Sequence, residues 1–130
     1  MPSAALKIIT ISFLVFIFIS ILISVNLMKY IIFNWKSYLN ISESMNLSKV
    51  VSKLPSTKKY KLISSPNNFY NLTLKSRYPK NIYAAQNVDL HGKGASTGSI
   101  DIQDLVSNKI KYCILGHSEV RYNFSETDLI

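Results

Sequence analysis

Four short apolar runs, Tyr30–Phe33, Tyr60–Ile63, Ile82–Ala85 and Tyr112–Leu115, recur along the chain with polar, helix-like stretches between them. Each is too short for a typical helix and nearly continuous in hydrophobicity, as strands with both faces covered are. Strands that alternate with helices build βα units, because a parallel connection needs a crossover long enough to hold a helix. The expected fold class is α/β: a parallel sheet with helices covering it. At 130 residues there is room for one ordinary domain.

The stretches between the runs carry their own boundary signals. Asn40 to Lys53 reads as a helix with Leu47, Val50, Val51 and Leu54 on its apolar face, stopped by Pro55. Ser64-Ser65-Pro66-Asn67-Asn68 is a turn-forming cluster, and Phe69 to Arg77 reads as a second helix closed before Pro79. Val88 to Gly98 is a long glycine-bearing loop. Asp101 is placed to cap a third helix whose apolar face is Ile102, Leu105 and Val106.

Ahead of the first run lies a different composition. From Ile8 to Met28 the chain carries no charge, and a helix of that length would span roughly 30 Å, the hydrocarbon thickness of a bilayer. It is longer than a signal-peptide core and no small-x-small cleavage site follows it. With a lysine at each flank, Lys7 and Lys29, the positive-inside rule does not orient it. Two readings stay open: residues 1–27 are an apolar helical extension that anchors the chain in a membrane through residues 8–28, or Met28 is the working start. The expected division is therefore 1–27 and 28–130.

Charge and cysteine content narrow the chemistry. Fifteen Lys and Arg against seven Asp and Glu give +8, which suits an anionic partner without naming one. Despite eight tyrosines there is neither a basic helix nor an aromatic RNA-binding motif, so no nucleic-acid partner is expected, and Lys58-Lys59-Tyr60-Lys61 reads as a solvated strand edge. The single cysteine, Cys113, excludes an internal disulfide and a multi-cysteine zinc site, and its place in an apolar run suggests an inert core position. Two histidines among scattered acids form no metal-ligand spacing, so no metal or other cofactor is expected.

Polar residues gather just after the first, third and fourth runs, at strand carboxyl ends where α/β folds bind ligands. Asn34 and Lys36, two apart, point to one side of the strand and pair an orientable amide with a cation. They fit an anionic or carbonyl substrate, although spacing alone favours a turn asparagine beside a solvated lysine. His117 follows Gly116 at the head of a stretch that opens with Ser118-Glu119. The positive end of a helix disfavours imidazolium and leaves a neutral ring able to donate a hydrogen bond, and an ordinary partly buried histidine fits the position equally well. His91, between Leu90 and Gly92, fits a surface role better, and Gly92-Lys93-Gly94 lacks the full pattern of a phosphate loop.

Taken together and in this order, Asn34-Trp35-Lys36, then Ala85-Gln86-Asn87-Val88 with Gly94-Ala95-Ser96-Thr97-Gly98, then Tyr112-Cys113-Ile114-Leu115-Gly116-His117-Ser118-Glu119 resemble the first-, third- and fourth-strand signatures of the triosephosphate isomerase family. Arg121, Phe124, Glu126 and Asp128 continue the likeness, which covers Met28 to Ile130. The resemblance implies half of a TIM (β/α)8 barrel, about four βα units of parallel sheet, preceded by the apolar segment. It implies an aldose–ketose isomerase of glycolysis and gluconeogenesis that interconverts dihydroxyacetone phosphate and glyceraldehyde 3-phosphate through an enediolate. Lys36 would supply positive charge to the triose phosphate and Asn34 would bind substrate and orient the polar groups beside it. His117 would polarise the carbonyl and shuttle a proton; this family is itself a standard case of a histidine held neutral at a helix N-terminus. Glu119 would join the network of Lys36. Thr97 would sit at the tip of a loop that docks into the partner of a homodimer, in the cytoplasm.

The likeness departs at Ser37-Tyr38-Leu39, at Val120 in place of an arginine, at Ser125 in place of a glycine and at Ser99 in place of an acid. The family's glutamate base, lid loop and phosphate loops have no counterpart among these residues. The chain alone is therefore expected to be catalytically inactive and poorly soluble.

Overall fold

The computed structural model describes residues 28–55, 57–89, 94–125 and Thr127. Residues 1–27, His91, Gly92-Lys93, Glu126 and Asp128 lie outside the described residues, and with them the readings made of the apolar extension and the glycine-flanked lysine. No helix among the described residues is long and apolar enough to cross a membrane.

Four strands, β1 (Lys29–Asn34), β2 (Tyr60–Ser65), β3 (Ile82–Ala85) and β4 (Tyr112–Cys113), form one parallel sheet in chain order. Helices α1 (Ile41–Val51), α2 (Asn71–Arg77, preceded by a 3-10 turn at Asn68–Tyr70), α3 (Ile102–Ser107) and α4 (Ser118–Phe124) follow the strands. The expected half-barrel of βα units is thus what the chain forms. Register pairs Tyr30 with Lys61, Ile32 with Ile63, Asn34 with Ser65 and Ser64 with Tyr83.

Side chains alternate across a strand, so this register assigns the two faces of the sheet. Trp35 and Tyr83 point to the helix side and form the core with Leu74 of α2, flanked by Leu39, Met45 and Tyr70. The buried Tyr83 hydroxyl lies 3.1 Å from Ser48 Oγ of α1 and 3.3 Å from the Leu74 carbonyl, and accepts from Asn81 Nδ2. One phenol therefore ties α1, α2 and β3 together, and its burial pushes its pKa upward. On the other face, Lys61 donates to the Tyr112 hydroxyl at 3.1 Å and sits over the rings of both Tyr30 and Tyr112. This cation–π cluster occupies the amino end of the face that carries Asn34 at its carboxyl end.

The helix starts follow from local chemistry. Asn40 caps α1 by accepting from the Glu43 amide, and Glu43 returns a bond to the Asn40 amide, a reciprocal capping box. Asp101 caps α3 by accepting from the Gln103 amide at 3.0 Å.

Four expectations about burial are corrected. The apolar face expected for α1 does not turn inward: Leu47, Val50 and Leu54 are exposed, while Ser44 and Ser48 are buried. Small hydroxyl residues let the helix approach closely, and Ser48 takes part in the Tyr83 network, so the contact face is polar in sequence. Likewise Ile102 and Val106 of α3 are exposed. Helices do not cover the whole sheet either, because β1 pairs only with β2 and Tyr30, Ile31, Ile32 and Phe33 are all exposed. The fourth strand ends at Cys113 rather than Leu115, although the Ile114 amide still donates to the Ala85 carbonyl. Lying on this edge strand, Cys113 is half-buried and not a core residue.

Candidate active site at the strand carboxyl ends

β1 runs out at Asn34, and the Trp35 amide donates to the Ser65 carbonyl, so the ladder extends one residue further. The chain then turns at Lys36, which takes a left-handed backbone at φ +51°. A non-glycine residue there is strained by about 1–2 kcal/mol and persists only when its surroundings hold it. Two bonds do so. The Lys36 amide donates to Asn34 Oδ1 at 3.0 Å, and the Lys36 carbonyl accepts from Gln86 Nε2 at 2.7 Å.

Gln86 is the organiser of this end of the sheet. Its second amide proton goes to the Ser65 carbonyl at 3.0 Å, and its backbone amide donates to Asn68 Oδ1 at 2.7 Å. Asn68 in turn donates to Asn87 Oδ1. The residue following β3 thereby links the exits of β1 and β2 and the 3-10 turn. In the sequence Gln86 is an uncharged member of Ala85-Gln86-Asn87-Val88 with no chemistry that singles it out. Its signal was position: it stands two residues after Ala84, on the face that carries Asn34.

From the fourth strand, Gly116 makes a left-handed turn at φ +59° and His117 becomes the N-cap of α4. His117 Nδ1 accepts from the Glu119 amide at 3.2 Å. A nitrogen that accepts carries no proton, so this geometry assigns the hydrogen of the neutral ring to Nε2, the outer edge. Glu119 Oε2 lies 3.7 Å from Nδ1, too far to compete with that cap.

Lys36 and Glu119 meet across the sheet, with Nζ 2.7 Å from Oε1. The hydrogen bond from Lys36, then its charge, holds the Glu119 carboxyl below its ordinary value, and the same bond raises Lys36 above 10.5. Both side chains are substantially exposed, so water screens the pair. Lys36 Nζ also lies 5.9 Å from the centre of the Tyr38 ring.

These groups line one open cleft of about 690 Å³. Asn34, Lys36, His117 and Glu119 all border it, together with Gln86, Asn87, Asp89, Asn123 and Phe124. Thr97 does not: it is exposed in a turn closed by the Ser99 amide on the Ser96 carbonyl, away from the cleft. The two described carboxylates of the cleft are both engaged, Glu119 by Lys36 and Asp89 by the Ile100 amide. Chemically, the described cleft offers hydrogen-bond donors and one cation beside two carboxylates that are already engaged. It suits a polar ligand with a carbonyl to polarise. Among the described residues no group of His, Cys, Asp or Glu is arranged to hold a metal ion.

Comparison with known proteins is consistent across sources. Residues 29–130 match the sequence profile of triosephosphate isomerase. The triosephosphate isomerase of Clostridium acetobutylicum is 36% identical over 97 residues, covering 73% of this chain and 39% of its own length. That of Flavobacterium psychrophilum is 40% identical, covering 75% of this chain and 40% of its own. That of Mycoplasma mobile is 33% identical, with 78% and 45% covered. The chain thus spans less than half the length of these relatives.

Proposed function

The chain belongs to the triosephosphate isomerase family, and from that premise we propose that its cleft is the electrophilic side of a triose phosphate isomerase site. The observation that carries this reading is the convergence of an ammonium, an amide and an Nε2-protonated imidazole on one cleft at the strand carboxyl ends.

In this reading Lys36 binds the anionic triose phosphate and balances charge that develops on the substrate oxygen. His117 donates from Nε2 to the carbonyl oxygen, which stabilises an enediolate and lets a proton pass between the two oxygens. Asn34 holds the Lys36 turn and presents its amide to substrate. Glu119 keeps Lys36 extended over the cleft until a ligand competes for the ammonium. Abstraction of the carbon-bound proton needs a positioned base, and the two described carboxylates of the cleft are already bonded, so the described residues supply binding and polarisation. In the same reading Thr97 reaches a partner subunit, and the protein acts in the cytoplasm on glycolytic triose phosphates.

Titration of the full chain with dihydroxyacetone phosphate tests the proposal. Saturable binding is expected, weakened about 10- to 100-fold in Lys36→Met by loss of a charge-assisted bond. Isomerase turnover by the 130-residue chain is expected to stay at background. Absence of binding, or binding indifferent to Lys36→Met, would sink the reading.

A further inference from the structure

We propose that Arg121 is a positioning residue for His117, locking the turn that aims the imidazole into the cleft. His117 stands between a two-residue strand and a seven-residue helix, both short elements with few contacts of their own. Arg121 holds the two successive carbonyls that frame it. Its backbone amide donates to the His117 carbonyl at 3.1 Å, and its side-chain Nε donates to the Gly116 carbonyl at 2.8 Å.

The guanidinium also fills the space above Gly116. A Cβ built on that glycine would come within 2.6 Å of Arg121 Nη2 and 3.2 Å of Cζ. Gly116 suits its left-handed φ of +59°, and a side chain there would push the flexible end of the arginine aside. The Nε–H bond on the Gly116 carbonyl holds the peptide plane between Gly116 and His117. That plane sets the direction in which the ring leaves the backbone, and so whether Nδ1 meets the Glu119 amide. With the clamp gone, the ring loses the bond that keeps its proton on Nε2.

This inference deepens the reading of His117 given above, and its test reads the ring itself rather than ligand binding or turnover. The full chain is prepared with 15N-labelled histidine in a His91→Gln background, so that His117 gives the only imidazole signals. Solid-state spectra at alkaline pH then report the neutral tautomer ratio whatever the chain's solubility. Loss of one ordinary hydrogen bond corresponds to about a 3- to 10-fold fall in the Nε2-H to Nδ1-H ratio. Arg121→Ala is expected to show that fall, with the emission of Trp35, the single tryptophan in the core, unchanged.

Gly116→Ala is expected to show the same fall, since its Cβ displaces the guanidinium. The double variant should be no worse than either single one, the mark of two residues acting through one contact. A tautomer ratio unchanged in both single variants overturns the proposal, as does additivity in the double. If Arg121→Ala alters Trp35 emission, Arg121→Met decides, because it keeps the aliphatic stem, removes the Nε donor and leaves the Gly116 backbone unstrained.

Discussion

Lys36 is strained, charged and paired, and each property has a separate cause. The strain comes from a turn that must reverse direction right after β1, and the bonds from Asn34 and Gln86 offset it. The charge interaction with Glu119 carries a definite pH signature. A carboxyl depressed in the fold contributes stability that is complete above its unfolded value, near 4.5, and lost as pH falls through the folded value below it. An ammonium raised in the fold contributes stability that is complete below 10.5 and lost as pH rises through its folded value above that. The pair is therefore intact across the neutral range and fails at both extremes. Following the Glu119 side-chain carboxyl by NMR should give a midpoint below 4.5 that returns towards 4.5 in Lys36→Met. An unchanged midpoint in that variant would show that the ion pair does not form in solution.

At the scale of elements, much of the architecture was legible. All four strands follow from short apolar runs bounded by turn residues, with β4 shorter than its run and β3 ending where expected. The caps Asn40 and Asp101 announce themselves because side-chain oxygens there have orphan amides to satisfy. The inward face of α1 was not legible, for a physical reason. Hydrophobic periodicity finds the face that gains most by leaving water, whereas α1 is seated by small serines that allow close approach and by a buried phenol that needs a partner. Gln86 escaped for a related reason, since an uncharged amide does not reveal which carbonyls it will bridge. The difference can be tested. Ser48→Leu improves the apolar pattern yet should cost about 1–3 kcal/mol by overpacking against Tyr83. Val50→Ser removes apolar surface yet should stay within about 0.5 kcal/mol, as exposed substitutions do. Denaturant melts of the two variants distinguish these outcomes, and the reverse order would mean that α1 seats by its aliphatic face.

For the whole molecule, the consequential feature is the exposed first strand. Tyr30, Ile31, Ile32 and Phe33 present apolar side chains on both faces beside unpaired backbone groups, a combination that favours edge-to-edge association. Sedimentation of the full chain should show concentration-dependent self-association, and Ile31→Lys, which places a charge on that edge, should reduce it. Self-association unaffected by Ile31→Lys would point to another surface. The Lys36–Glu119 contact has a further meaning at this scale. It joins residues 83 positions apart that leave the first and last strands of the row. Laid flat, four strands at about 4.8 Å spacing would hold those outer members roughly 14 Å from each other. A 2.7 Å bond between two long side chains from opposite margins spans that row and bridges its open rim. Strand twist curls the sheet into a hollow, and this pair stretches a charged bridge across its mouth, where an arriving ligand would meet it first.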